Sequence, residues 1–158
     1  MAELVRDVMA RGAVCVPPDA SLVEAAQLMR AQETGEVMVA TGGRVLGVLT
    51  DRDITLRAVA DGVDPLMVSA RSVCTPEPVT VAPDTTAARA AALMREHAVR
   101  RLPVVDDGLL VGVVGRSDLA PRDAPGRRGP AGARAARTAD DAAVPAGRRT
   151  SSPDAQRA

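Results

Sequence analysis

The residues that could carry covalent or metal chemistry are few in this 158-residue chain, and their spacing brings none of them together. All 20 basic residues are arginine, so there is no lysine for a Schiff base or a phosphate-binding loop. His97 is the single histidine, and Cys15 and Cys74 are the only cysteines. One imidazole and two isolated thiols make no zinc site, and no Ser or Cys nucleophile motif accompanies His97. The two cysteines read as reduced, small apolar residues. Without a nucleophile, a metal cluster or a carboxylate pair, the chain is expected not to be an enzyme and to require no cofactor. Phe, Tyr and Trp are absent too. Bases cannot be held by ring stacking, which argues against the usual platforms for single-stranded nucleic acid.

What remains is charge, hydrogen bonding and aliphatic surface. Hydrophobic residues are 46% of the chain, enough for a core built from Val, Leu, Ile, Met and Ala. The length suits one ordinary domain or two small ones packed together. The formal charge is zero but unevenly spread: residues 1–119 hold 12 Arg against 16 acids, and residues 120–158 hold 8 Arg against 4 Asp. The front is a mildly acidic globule and the back a basic tail. In residues 123–158 the only large apolar residue is Val144, so this tail is expected to be disordered. Its arginine pairs at 127–128 and 148–149 read as part of that disorder; contact with nucleic acid or an acidic partner is the other reading. No apolar run approaches the roughly 18 residues of a membrane span. The opening MAELVRDVMA carries acids, unlike a signal peptide. A soluble, cytoplasmic protein without membrane contact is expected.

The elements that position these groups come from an internal repeat. Shifted by 65 residues, PPDASLVEAAQLMR (17–30) falls on APDTTAARAAALMR (82–95), and GRVLGVLTDRD (43–53) on GLLVGVVGRSD (108–118). The register holds without a gap from Val5 to Arg57, with about a third of positions identical. Each copy begins with a short apolar run, Val14-Cys15-Val16 or Val79-Thr80-Val81, which predicts a strand. Pro18-Asp19 and Pro83-Asp84 mark turns. A helix follows in each; Ser21 and Glu24 have the form of a capping box. Leu22, Ala25, Ala26, Leu28 and Met29 give it one apolar face, as do Ala87, Ala90, Ala91, Leu93 and Met94 in the second copy. Two apolar strands follow, 37–40 with 45–49 and 102–105 with 109–114, joined at the hairpin signals Gly42-Gly43 and Asp107-Gly108. A second helix should run from near Asp51 to about Ala60, and its counterpart after Arg116 is cut short near Pro121. Met9, Met29, Met67 and Met94 read as core filler. Each copy is marginal alone, so the two should bury a shared surface. The predicted organisation is a first repeat over 1–64, a second over 65–122 and a tail over 123–158.

The ordered pieces VRDVM (5–9), VCVPPDASLVEAAQLM (14–29), GVLTDRD (47–53), VTVAPDTTAARAAALM (79–94), HAVRRLPVVDDG (97–108) and GVVGRSD (112–118) together resemble a tandem CBS-domain pair, or Bateman module. The resemblance implies an α/β (α+β) fold of two βαββα repeats in pseudo-twofold contact, often paired further into a flat homodimer. It also implies a regulatory module without activity of its own, binding AMP, ADP, ATP, S-adenosylmethionine or NAD between the repeats. The family's ligand motif is complete in the first copy as Gly47, Thr50 and Asp53. A carboxylate such as that of Asp53 can accept both vicinal ribose hydroxyls, and Thr50 can donate to phosphate. Arg52, between them, can reach a phosphate with its fork of donors. By resemblance, Val14, Val37 and Met38 line the adenine. In the second copy Asp118 is kept but Gly115 replaces the hydroxyl residue; Arg101, before Leu102, is the candidate source of charge there.

Plainer readings stand beside these. Asp53 after Thr50 can simply cap a helix. Arg100 and Arg101 can be a solvated pair, and Gly47 and Gly112 can serve close chain approach alone. The leading expectation is a sensor of an adenosine-containing nucleotide that modulates a protein partner. A ligand-independent dimeric scaffold is the alternative, and a nucleic-acid-associated protein acting through the tail ranks below both.

Overall fold

The computed structural model describes residues 1–120. The basic tail, with its expected disorder and arginine pairs, lies outside the described residues. In chain order the elements are α1 (Val5–Val8), β1 (Ala10–Arg11), β2 (Cys15–Val16), α2 (Leu22–Ala31), β3 (Glu36–Thr41), β4 (Arg44–Thr50), α3 (Asp51–Ile54) running into a π-helical turn (Thr55–Val59), α4 (Ala70–Val73), β5 (Thr75–Pro76), α5 (Ala87–Glu96), β6 (Arg101–Asp106) and β7 (Leu109–Gly115). They form two sheets, ordered β2-β3-β4-β5 and β1-β7-β6.

Both hairpins form where the sequence places them. Gly42 and Gly43 both have positive φ, and in the second repeat Asp107 and Gly108 do the same. That geometry matches the twist of the flanking strands and suits glycine best. The capping box is also present: Ser21 N–H donates to Glu24 Oε2 at 2.7 Å, and Glu24 N–H donates to Ser21 Oγ at 3.1 Å. Thr86 repeats half of it, accepting from Arg89 N–H at 3.2 Å. Arginine has no carboxylate to complete the other half.

Two expectations are corrected. Val79-Thr80-Val81 does not form a strand; only Val81 bridges to Val104. In the first repeat Met38 N–H donates to Val14 C=O at 2.8 Å. The position equivalent to Met38 is Pro103, which has no N–H, so that ladder bond is lost. Met67 is not core filler but 81% exposed, because it lies on the connection after the second helix. Met29 and Met94 are buried as expected.

Each repeat has its own core. The first gathers Leu22, Ala25, Met29, Val37, Val39 and Leu49; the second gathers Ala90, Met94, Leu102, Val104 and Val114. Fully burying an aliphatic side chain such as Leu22 or Leu49 contributes about 1.5–3 kcal/mol. The lead segments are exchanged between repeats. Val5 belongs to the second core, and β1 pairs antiparallel with β7. In return Ala70, Val73 and Cys74 belong to the first core, and β5 pairs with β4. Main-chain bonds repeat the exchange: Val5 N–H donates to Thr85 C=O at 2.8 Å, and Ala70 N–H donates to Ala20 C=O at 2.7 Å.

Gly47 and Gly112 sit where the exchanged segments cross. A Cβ on Gly47 would lie 2.5 Å from Cys74 Sγ and 2.8 Å from Thr75 O. On Gly112 it would lie 2.5 Å from Ala10 O. Only a residue without a side chain admits this approach. The hairpin tips also meet, with Leu110 N–H donating to Gly43 C=O at 2.8 Å.

Candidate functional site

Thr50 ends β4, and Asp53 stands in the first turn of the helix that follows. Thr50 N–H donates to Asp53 Oδ2 at 3.0 Å, and Asp53 N–H donates to Thr50 Oγ1 at 3.1 Å. The capping reading of this pair is therefore correct. It does not exhaust either group. The hydroxyl still has its proton to donate, and the carboxylate has lone pairs left to accept. Asp53 is steadied further by Arg57, whose Nε lies 3.9 Å from Oδ1 and whose Nη1 donates to Val73 C=O at 2.9 Å. Arg57 is half exposed, so this pair positions the carboxylate more than it stabilises the fold.

Directly across the ladder from Thr50 stands Glu36. Opposed residues of an antiparallel pair project from the same sheet face with Cβ atoms about 4.5–5.5 Å apart. The Glu36 carboxylate is met by Arg101 of the other repeat, whose Nη1 lies 3.4 Å from Oε1 and also donates to Thr34 Oγ1 at 3.3 Å. Arg101 thus reaches from the second repeat to the first. Its stem passes over Gly115, where a Cβ would be 3.6 Å from Arg101 Cγ. Asp118 Oδ2 accepts from Gly115 N–H at 2.7 Å, the second repeat's version of the Asp53–Thr50 bond.

The remaining sequence candidates divide by strand alternation. Val37 is fully buried in the first core and Leu102 is buried in the second, so each can offer a ligand its main chain only. Met38 is buried outside both core clusters, whereas Val14 is half-buried and packs against the first core, its C=O accepting from Met38 N–H. Arg52 is exposed, with its N–H donating to Asp51 Oδ1 at 2.8 Å. The sequence reading missed Glu36 and Thr34. The signal was available: the 65-residue shift lays Glu36 on Arg101, opposite charges that meet if the repeats face each other.

Both cysteines are free thiols. Burial pushes the Cys15 thiol up, and it pushes Cys74 up with a further push from the nearby Asp53 carboxylate. His97 is exposed at the end of α5. Among the described residues no group of three or more His, Cys, Asp or Glu could hold a metal ion, and no helix is long and apolar enough to cross a membrane.

The model of the CBS domain matches this chain twice, over residues 5–59 and 70–122. The chain belongs to the CBS-domain family. This CBS pair is 40% identical over 116 residues to the CBS domain-containing protein YhcV of Bacillus subtilis, covering 73% of the chain and 82% of that protein. It is 35% identical over 116 residues to Hypoxic response protein 1 of Mycobacterium tuberculosis, covering 73% and 81%. A crystal structure of Hypoxic Response Protein I with two coordinated zinc ions superposes with a TM-score of 0.69 at 34% identity, over 73% of this chain and 95% of that one. A CBS domain pair solved with 5-methylthioadenosine and S-adenosyl-L-methionine shares the fold at a TM-score of 0.67 and 23% identity, over 75% and 94%. The α/β fold of two repeats and a CBS-pair regulatory module are thereby established.

Proposed function

We propose that this CBS pair senses an adenosine-containing ligand of the AMP, ADP or ATP class between its repeats and modulates a protein partner without catalysis of its own. One observation carries the reading. Thr50 and Asp53 cap each other, leaving the Thr50 hydroxyl proton free to donate and Asp53 Oδ1 held only by the 3.9 Å ion pair with Arg57 among the described residues. A donor beside an acceptor on a preformed frame suits a phosphate or sugar oxygen next to a ribose diol. Val14 and Met38 supply aliphatic surface for the adenine, and the main chain of Val37-Met38 supplies polar groups beside it. NAD and S-adenosylmethionine are the other ligands of this chemistry. The solved CBS pair bound to S-adenosyl-L-methionine shares the fold, and that likeness bears on the fold alone.

The test is dye-based thermal melting of the full chain with AMP, ADP, ATP, NAD and S-adenosylmethionine, since the chain has no Trp or Tyr to report directly. A ligand at about 100 times its Kd adds about 2.7 kcal/mol, a shift of several degrees. A shift abolished by Asp53→Ala supports the site; a shift that survives it moves the ligand elsewhere, and no shift at millimolar ligand overturns the reading.

A specific observation favours the scaffold as the second reading. Leu56, Val59, Leu66 and Met67 are between 53% and 81% exposed on the second helix and the connection after it. A second copy of this chain is the occupant such a surface suits, giving the homodimer. We place the protein in the cytoplasm, in keeping with its two free thiols.

A further inference from the structure

We propose that Arg57 is a positioning residue that couples the aim of the Asp53 carboxylate to the lead segment of the other repeat, so that the site's preference for a ribose diol depends on how that segment is seated. The inference rests on the adenosine-ligand reading of the Thr50–Asp53 site and adds what controls it from outside.

Arg57 stands one turn beyond Asp53, and its two contacts face different parts of the molecule. Its Nε lies 3.9 Å from Asp53 Oδ1, and its Nη1 donates to Val73 C=O at 2.9 Å. Asp53 Oδ2 already accepts from Thr50 N–H, so Oδ1, the oxygen facing Arg57, has the more capacity left for a ligand hydroxyl. Val73 is the last residue of α4, which belongs to the second repeat by sequence and to the first by packing. A carbonyl at a helix end lacks a partner within the helix, and here Arg57 supplies one. The next two residues, Cys74 and Thr75, cross over Gly47 of the same ligand motif. Burial pushes the Cys74 thiol up, Asp53 pushes it further and Arg57 pulls it back, so all three groups lie within electrostatic reach of one another.

The local backbone is unusual at this point. Arg57 lies in the π-helical turn Thr55–Val59, which Ala60 N–H closes by donating to Thr55 C=O at 3.0 Å. Such wide turns are rare and occur frequently at functional sites. The Val73 bond anchors one end of the guanidinium fork, and the other end then faces the carboxylate. When the lead segment shifts, the fork follows the carbonyl and Asp53 loses its brace. The 3.9 Å contact is half exposed and adds little to stability. Its effect is on direction, because a carboxylate accepts two vicinal hydroxyls only when it is presented squarely to both. Arg57 thus acts on the ribose through Asp53 and takes no part in phosphate recognition.

The experiment is calorimetric titration of the full chain with AMP, 2′-deoxy-AMP and adenosine, in wild type, Arg57→Gln, Val73→Ala and the double variant. The main readout is the ratio of AMP to 2′-deoxy-AMP affinity, in which a general loss of binding cancels. Arg57→Gln should lower this ratio about five-fold, less than the loss of a whole charge-assisted hydrogen bond, since Asp53 stays but is poorly aimed. Val73→Ala acts from the first core; it should lower the ratio about two-fold alone and not at all beside Arg57→Gln. The ratio of AMP to adenosine affinity should stay at its wild-type value in Arg57→Gln; a fall there means direct contact with phosphate and overturns the proposal. An unmoved diol ratio in Arg57→Gln overturns it too, as does a Val73→Ala effect that is absent or equal in both backgrounds. Far-UV circular dichroism checks folding, and should Val73→Ala not fold, Val73→Ile disturbs the same seat by overfilling it. If AMP does not bind wild type, or binds no better than 2′-deoxy-AMP, the reading of the site itself fails and this inference falls with it.

Discussion

Glu36 and Arg101 occupy the same position in the two repeats, 65 residues apart, and they are ion-paired with each other at 3.4 Å. A contact between equivalent positions marks the approximate twofold relating the repeats. Two identical copies would place like charges there. The divergence of one copy to Glu and the other to Arg turns a repulsion into an attraction. The same divergence makes the two half-sites unequal: one keeps Thr50, and the other has Gly115 under the arginine stem.

Gly47→Ala and Gly112→Ala should each destabilise the protein by roughly 1–3 kcal/mol, the usual cost of forcing atoms into a packed site. The added methyl would meet Thr75 O and Cys74 Sγ in one case and Ala10 O in the other, so backbone must move. Urea melts followed by far-UV circular dichroism measure this. A midpoint equal to wild type would show that the crossings are looser than described.

Ala98→Gly and Glu33→Gly should stabilise. Both residues follow the C-terminus of the long helix of their repeat with φ near +53° and +52°, a left-handed conformation that favours glycine. The expected gain is about 0.5–1 kcal/mol each, partly offset by the greater freedom of glycine in the unfolded chain. A fall in melting temperature for both would contradict it.

Thiol reactivity should be slow at neutral pH. Burial raises Cys15, and burial with the Asp53 charge raises Cys74, so thiolate forms only above the ordinary thiol range. Iodoacetamide labelling, read by mass spectrometry, should accelerate at higher pH than for the same chain in denaturant. The linkage has the matching sign. Below the ordinary thiol pKa both states keep the proton and the contribution is whole; as pH rises past it the unfolded chain deprotonates first, and stability falls. Labelling of native protein as fast as denatured at pH 8 would count against burial of these thiols.

Much of this architecture was legible because local signals and the repeat agreed. The Ser21–Glu24 box, the glycine turns and the helix faces are short-range patterns, and they formed where they were read except at Ala26, which belongs to the exposed side of its helix. The strand at residues 79–81 failed for a reason also written in the sequence, at a distance: Pro103, on another strand, withholds the N–H its ladder required. Thr50 and Asp53 were found through the resemblance to the CBS ligand motif, but their mutual hydrogen bonds show that the motif has a structural cause as well. Nothing local distinguishes Glu36, a charged residue at a strand start; only the 65-residue shift that lays it on Arg101 signalled it. Its meaning comes from Arg101, which only the facing of the repeats brings near.

The exchanged lead segments set what truncation does to this molecule. Residues up to Arg11 come first in the chain, yet their strand edges β7 and their valine fills the second core. Removing them leaves the four-stranded sheet with all its strands and strips the three-stranded one to a bare hairpin. Damage at the start of the chain is thus felt in the repeat that follows. Conversely, a cut in the connection between the repeats does not yield two finished halves: the first fragment lacks β5 and keeps β1, which belongs to the sheet of the second.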